Sequence, residues 1–289
     1  MQEVYERYKS LVEARLEEYF LEDVPQKRLL EAMRYSLLAD GKRVRPVLVL
    51  AFCEASGGRA EEALEFACAV EMLHTYSLIH DDLPCMDDDD LRRGRPTNHV
   101  VFGEYTAVIA GDALQAAAFE TILKAPLDAE KKAEAALALA KAAGAYGMCA
   151  GQQLDMEGEG RRFSLAEVEQ THRLKTAALI KAAASMGCIA AGASKARIEA
   201  AEKYAEALGL AFQIRDDLLD VTGSAEILGK NVGSDAESGK STFVTLLGVD
   251  RCRELVYENT ERAKAALKGA FSNTEFLEWF AELLAGREK

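Results

Sequence analysis

Ser77 to His99 reads SLIHDDLPCMDDDDLRRGRPTNH, and the reading of the chain turns on it. Six aspartates (Asp81, Asp82, Asp87, Asp88, Asp89, Asp90) fall within ten residues, and Arg92, Arg93 and Arg95 follow at once. So many carboxylates repel one another unless a cation or abundant water relieves the charge. Carboxylate oxygens are the ligands that Mg²⁺ favours, and substrate phosphates commonly complete its shell. The guanidinium fork matches phosphate oxygens, so the stretch holds both halves of a metal–phosphate site. A solvated acidic loop is the ordinary reading of such a run. Here the run follows an apolar, helix-compatible segment, Phe66 to Ile79, which sets Asp81 and Asp82 at a helix end inside a fold.

A second cluster weighs against the solvated loop. Residues 212–220 read FQIRDDLLD, with Asp216, Asp217 and Asp220 at i, i+1 and i+4. On a helix, Asp216 and Asp220 are one turn apart and only about 40° out of line, so both can reach one metal. One DDxxD is weak; two aspartate-rich motifs about 130 residues apart, each after an apolar helical stretch, are specific.

Outward from these motifs the pattern is helical. Apolar residues recur at helical spacing, alternating strand patterns are scarce, and proline stops at Pro126, which suits a long series of helices. The spacing predicts two helices before Gly41, Ala-rich helices at about 104–123 and 128–148, and closing helices at about 250–268 and 273–285. No linker or repeat divides the chain, so residues 1–289 read as one all-α domain. Apolar residues make up 49% and the net charge is −13, a globular composition that argues against nucleic acid or an anionic membrane surface as partner. Six scattered cysteines with no CxxC pair read as reduced thiols. The first twenty residues are charged and amphipathic, unlike a leader peptide, and no run reaches the roughly 18 apolar residues of a membrane span. A soluble, cytoplasmic protein is expected.

The pair of aspartate motifs resembles the first and second aspartate-rich motifs of the trans-isoprenyl diphosphate synthase (polyprenyl synthetase) family. DDLPCMDDDDLRRGRPTNH is similar to the bacterial farnesyl form, with two additional residues before the third aspartate. The resemblance implies an all-α bundle around a central cavity, up to three Mg²⁺ ions, isoprenyl diphosphate substrates and a homodimer. It implies Asp81, Asp82, Asp87, Asp216, Asp217 and Asp220 as metal ligands, with Asp87, not Cys85, in the third-aspartate role. Arg92, Lys175, Lys230 and Lys240 would hold the allylic diphosphate. Lys42 and Arg45 of GKRVRP, with His74 and Arg93, would hold isopentenyl diphosphate. Arg43 and His80 receive no role, and Arg95 stays open between the two diphosphates and neither. Lys175, through its carbonyl, with Thr176 and Gln213 would face the allylic cation. Gln152, Gln153 and Asp155 would support the site. Tyr76 and Ser77, the fifth and fourth residues before the first motif, would set chain length, and a bulky Tyr76 is similar to the fifteen-carbon pattern. Val244 stands where the family often has proline.

The implied reaction is head-to-tail condensation of isopentenyl diphosphate with dimethylallyl and geranyl diphosphates by ionisation, condensation and elimination. Geranylgeranyl diphosphate synthesis is the nearest rival, and a non-catalytic subunit of a heteromeric synthase is the non-enzyme alternative. A terpene cyclase has no use for GKRVR or Arg92–Arg93. An HD-type phosphohydrolase, suggested by His80–Asp81, needs more histidines than the four present. GKST at 239–242 lacks the first glycine of a phosphate loop, because that position is Ser234.

Overall fold

The computed structural model describes residues 1–158, 160–222 and 241–286. Helices α1 (Gln2–Leu16), α2 (Lys27–Leu37) and α3 (Val44–Ala55) lead into α4 (Leu64–Asp81). A two-residue hairpin follows, β1 (Leu91–Arg92) with β2 (Arg95–Pro96), which are the only strands among the described residues. Then come α5 (Asn98–Phe102), α6 (Glu104–Lys124), α7 (Ala129–Ala143), α8 (Met148–Glu157) and α9 (Leu165–His172). A π-helical turn, Arg173–Ala177, joins α9 to α10 (Ala178–Ala190) and the long α11 (Lys195–Thr222). Helices α12 (Phe243–Leu247), α13 (Val249–Leu267) and α14 (Glu275–Ala285) close the bundle. The all-α expectation holds.

Helices α3, α4 and α10 are apolar nearly all the way round, the pattern of helices enclosed on every side. Phe52, Phe66, Leu48, Leu50, Met72 and Leu73 are fully buried there, each worth roughly 1.5–3 kcal/mol of burial. α10 is built from small residues, and this lets it approach α3: a Cβ on Gly187 would lie 2.2 Å from the Val49 carbonyl oxygen. A second, smaller core of Phe163, Val168, Ile214, Leu218, Phe243 and Val244 ties α9 and α12 to the end of α11.

Two expectations change. The Ala-rich helix ends at Ala143 and not Met148, because a Cβ on Gly147 would collide with the Ala142 carbonyl at 2.1 Å; Gly144 and Gly147 break the run. By length and composition α6 could cross a membrane, although Asp112, Gln115 and Glu120 interrupt its apolar run, and half of that window is buried in the fold.

Candidate active site

The first motif begins in the last turn of α4 and then folds back. The Asp87 N–H donates to the Asp81 carbonyl (2.9 Å) and the Asp88 N–H to that of Leu83 (3.1 Å), with Asp88 in the left-handed region at φ 53°. The two additional residues are absorbed in this turn, which returns Asp87 to Asp81 and leaves Cys85 exposed. Burial pushes Asp81 up to about 6; Lys175 and Arg92 oppose the shift, while Asp87 and Asp82 add to it. Asp82 is buried and accepts from Arg92 Nε (2.6 Å) and Nη2 (2.5 Å), so it aims that guanidinium.

Arg92 sits on β1, and Arg93–Gly94 form the two-residue turn to β2, both with positive φ (54° and 73°) as a type I′ turn requires. The turn carries Arg93 to the start of α3, where Nη1 donates to the Asp40 carbonyl (2.6 Å). Arg43 also has a left-handed backbone (φ 48°), and its side chain turns inward to Glu71 of α4 (2.7 Å) and the Ala39 carbonyl (2.8 Å). Lys42 and Arg45 flank this buried anchor. Burial lowers Arg45 to about 10, with Arg93 adding to the shift; its Nε has no hydrogen-bond partner among the described residues. Arg93 is lowered too, again first by burial. His74 is held well below the usual histidine range by burial and by Arg45, Arg93, Arg92 and Arg43. Cations that depress one another's pKa values need an anion between them.

Across the cavity, the π turn holds Lys175 and Thr176. Lys175 Nζ pairs with Asp155 of α8 (2.7 Å), and Thr176 donates to Gln213 Oε1 of α11 (3.0 Å). α8 packs on the turn through Gly151, where a Cβ would meet the Lys175 nitrogen at 2.1 Å. Asp217 is buried and accepts from the Phe243 N–H (2.9 Å) and Gln213 Nε2 (3.3 Å), which anchors α12. Asp216 acts electrostatically on His172, as Lys175 and Asp155 do, which sets Asp216 on the same side as the Lys175 turn. Lys230 and Lys240 lie outside the described residues.

Asp87 Oδ1 and Asp220 Oδ1 are buried without a hydrogen-bond partner among the described residues, a costly state for carboxylates unless a cation takes it up. No three His, Cys, Asp or Glu side chains among the described residues make a ready cage. Mg²⁺ needs none, since one or two carboxylates with substrate phosphates commonly suffice. The residues present fit that ion.

Behind Asp81 on α4, Tyr76 is buried, with its ring edge-on to His80 (5.5 Å, 82°) and its hydroxyl 3.6 Å from Cys149 Sγ. Ser77 Oγ donates to the His74 carbonyl within the same helix (2.8 Å).

The polyprenyl synthetase profile matches residues 26–283. The chain belongs to the polyprenyl synthetase family. Among polyprenyl synthetases, the farnesyl diphosphate synthase of Geobacillus stearothermophilus is 44% identical over 285 residues, covering 97% of this chain and 95% of that one. Geranylgeranyl pyrophosphate synthase 3 of Arabidopsis thaliana is 51% identical over 245 residues, covering 83% of this chain and 68% of that one. A solved FPP/GFPP synthase from Zymomonas mobilis superimposes with a TM-score of 0.89 at 37% identity over 98% of both chains.

Proposed function

We propose that this prenyltransferase makes farnesyl diphosphate, condensing isopentenyl diphosphate with dimethylallyl and then geranyl diphosphate. The observation that carries the reading is the presence of two cationic sets, one on each side of the cavity. Arg45 and Arg93, beside the neutral His74, form one near the start of α3, with Lys42 added from sequence; Arg92 and Lys175, with Lys230 and Lys240 from sequence, form the other.

Asp81, Asp87, Asp216 and Asp220 are the residues that would hold Mg²⁺, while Asp82 and Asp217 are committed to Arg92 and the Phe243 N–H. When bound, Mg²⁺ supplies Lewis-acid neutralisation of the leaving diphosphate. Arg92, preset by Asp82, and Lys175, which exchanges Asp155 for phosphate, neutralise the charge that grows as the C–O bond breaks. The Lys175 carbonyl, Thr176 and Gln213 face the allylic cation and stabilise it while water is kept out. His74 stays neutral and donates one N–H to the isopentenyl diphosphate beside Arg45 and Arg93. The isopentenyl double bond attacks the cation, and the released diphosphate accepts the proton lost from the new bond's neighbour. Tyr76 closes the tail channel and ends growth at fifteen carbons.

Chromatography of products from isopentenyl and dimethylallyl diphosphates with Mg²⁺, for wild type and Tyr76→Ala, tests this. The expected result is a fifteen-carbon product that lengthens in the variant. A twenty-carbon wild-type product would favour the second reading, geranylgeranyl synthesis, which the 51% identity to the Arabidopsis enzyme supports. No condensation by folded protein would leave the non-catalytic subunit. The six free cysteines support a reducing, cytoplasmic setting, and an exposed apolar face on α5 and α6 supports a homodimer.

A further inference from the structure

Tyr76 can stop a growing chain only while its ring lies across the channel, and a tyrosine on a helix has more than one open rotamer. Three helices meet at this one side chain. From α4 itself, the His80 ring packs edge-on against it. His80 is in turn fixed against α6, since its Nε2 lies 3.0 Å from the Val108 carbonyl and the space it fills exists because Gly111 has no Cβ. Also from α6, Gln115 acts on the same phenol and lowers its pKa against the upward push of burial. From α8, Cys149 Sγ lies 3.6 Å from the same hydroxyl.

α8 is the helix that also backs the chemistry: Gly151 seats against the Lys175 backbone and Asp155 holds the Lys175 ammonium. Cys149 is two residues before Gly151 and six before Asp155, so the phenol is tied to the element that positions the cation-facing turn.

We infer that Cys149 is a positioning residue for product length: its sulfur holds the Tyr76 hydroxyl and so keeps the ring across the channel. The inference rests on the reading of Tyr76 as the channel floor. A phenol is a good donor and a thiol sulfur a weak acceptor, so the contact biases a rotamer and does not lock it.

The test is the ratio of twenty- to fifteen-carbon product from the full-length enzyme with Mg²⁺, isopentenyl diphosphate and dimethylallyl diphosphate. Four variants are compared with wild type: Cys149→Ala, Tyr76→Phe, the double variant and Tyr76→Ala. Cys149→Ala is expected to raise the ratio about fivefold, the population change that one neutral hydrogen bond is worth. Tyr76→Phe, which keeps the ring and loses only the hydroxyl, should raise it at least as much. The double variant should not exceed Tyr76→Phe, because both changes break the same contact. The first condensation, to geranyl diphosphate, should keep its rate in Cys149→Ala, since a five-carbon tail does not reach the floor. A Cys149→Ala ratio equal to wild type, beside a Tyr76→Ala ratio that rises, overturns the anchor and leaves the floor reading standing. Independent, multiplying effects of Cys149→Ala and Tyr76→Phe overturn it as well. If Tyr76→Ala leaves the ratio unchanged, the floor reading falls and the anchor falls with it.

Discussion

A Cβ on Gly41 would lie 2.5 Å from Nη1 of Arg93, in the space where that guanidinium reaches the Asp40 carbonyl. The neighbour that must give way is the far end of a flexible side chain, so Gly41→Ala should fold with little loss while Arg93 is pushed out of register. The expected outcome is a KM for isopentenyl diphosphate raised about tenfold, the order of one charge-assisted hydrogen bond, with kcat nearly unchanged. Steady-state kinetics at saturating allylic substrate check it, and a tenfold fall in kcat with constant KM would sink it. In the sequence, Gly41 only marks where the second helix stops, and the resemblance implies Arg93 as a diphosphate ligand. Their contact joins residues 52 positions apart, and no local pattern encodes it. The same holds for Arg43. Its string was legible as cationic, but its partner Glu71 lies on another helix, and only the fold shows that the middle cation turns inward. The resemblance implies Asp82 and Asp217 as metal ligands; the pairing of Asp82 with Arg92 and of Asp217 with the Phe243 N–H is tertiary.

At the scale of elements, the long helices were legible because apolar spacing and the absence of proline act over many residues. The hairpin at Leu91–Pro96 and the π turn at Arg173–Ala177 were not, since two residues per strand and one widened turn leave no periodicity to read. The joint between α9 and α12 was equally hidden, and it has a measurable signature. The His172 ring stacks on Phe243 (5.4 Å, 24°), and its Nδ1 is buried without a hydrogen-bond partner among the described residues. Burial pushes His172 down to about 4, against the opposing pull of Asp155 and with Lys175 adding to it. Above about pH 6.5 both the folded and unfolded forms are neutral, and the joint is at full strength. As pH falls from about 6.5 toward about 4, the unfolded chain takes up a proton that the native one refuses. Stability is therefore lost at about 1.4 kcal/mol per pH unit from this residue alone. His172→Gln should make the acid limb shallower by that amount. Chemical denaturation of both proteins in magnesium-free buffer, from about pH 7.5 to about pH 5, reads the difference directly. Identical slopes would mean that His172 is solvated in the native state.

At the scale of the molecule, one surface stands out from a chain whose net charge is −13. Val100, Val101, Tyr105, Val108 and Ile109 are each at least 40% exposed and lie side by side on α5 and the first turns of α6. Contiguous exposed apolar side chains on a soluble fold mark a surface that something covers. An anionic membrane is a poor partner for an acidic protein whose Glu104 and Asp112 stand exposed on the same helix. A second copy meets no such penalty, and two α6 helices related by a two-fold axis would bury the stripe against itself, with each residue counted twice. Ile109 takes little part in the monomer's own core, so Ile109→Asp should leave the helix and the cavity intact. It should place two carboxylates in the apolar centre of the contact, at a cost of roughly 2 kcal/mol each. That corresponds to a dimer weakened about a thousandfold. Sedimentation equilibrium at micromolar concentration should find twice the chain mass for wild type and the single chain mass of 31.5 kDa for the variant. A wild type that sediments as a monomer would take the stripe out of the assembly. A variant that stays dimeric would move the interface to another face of the bundle.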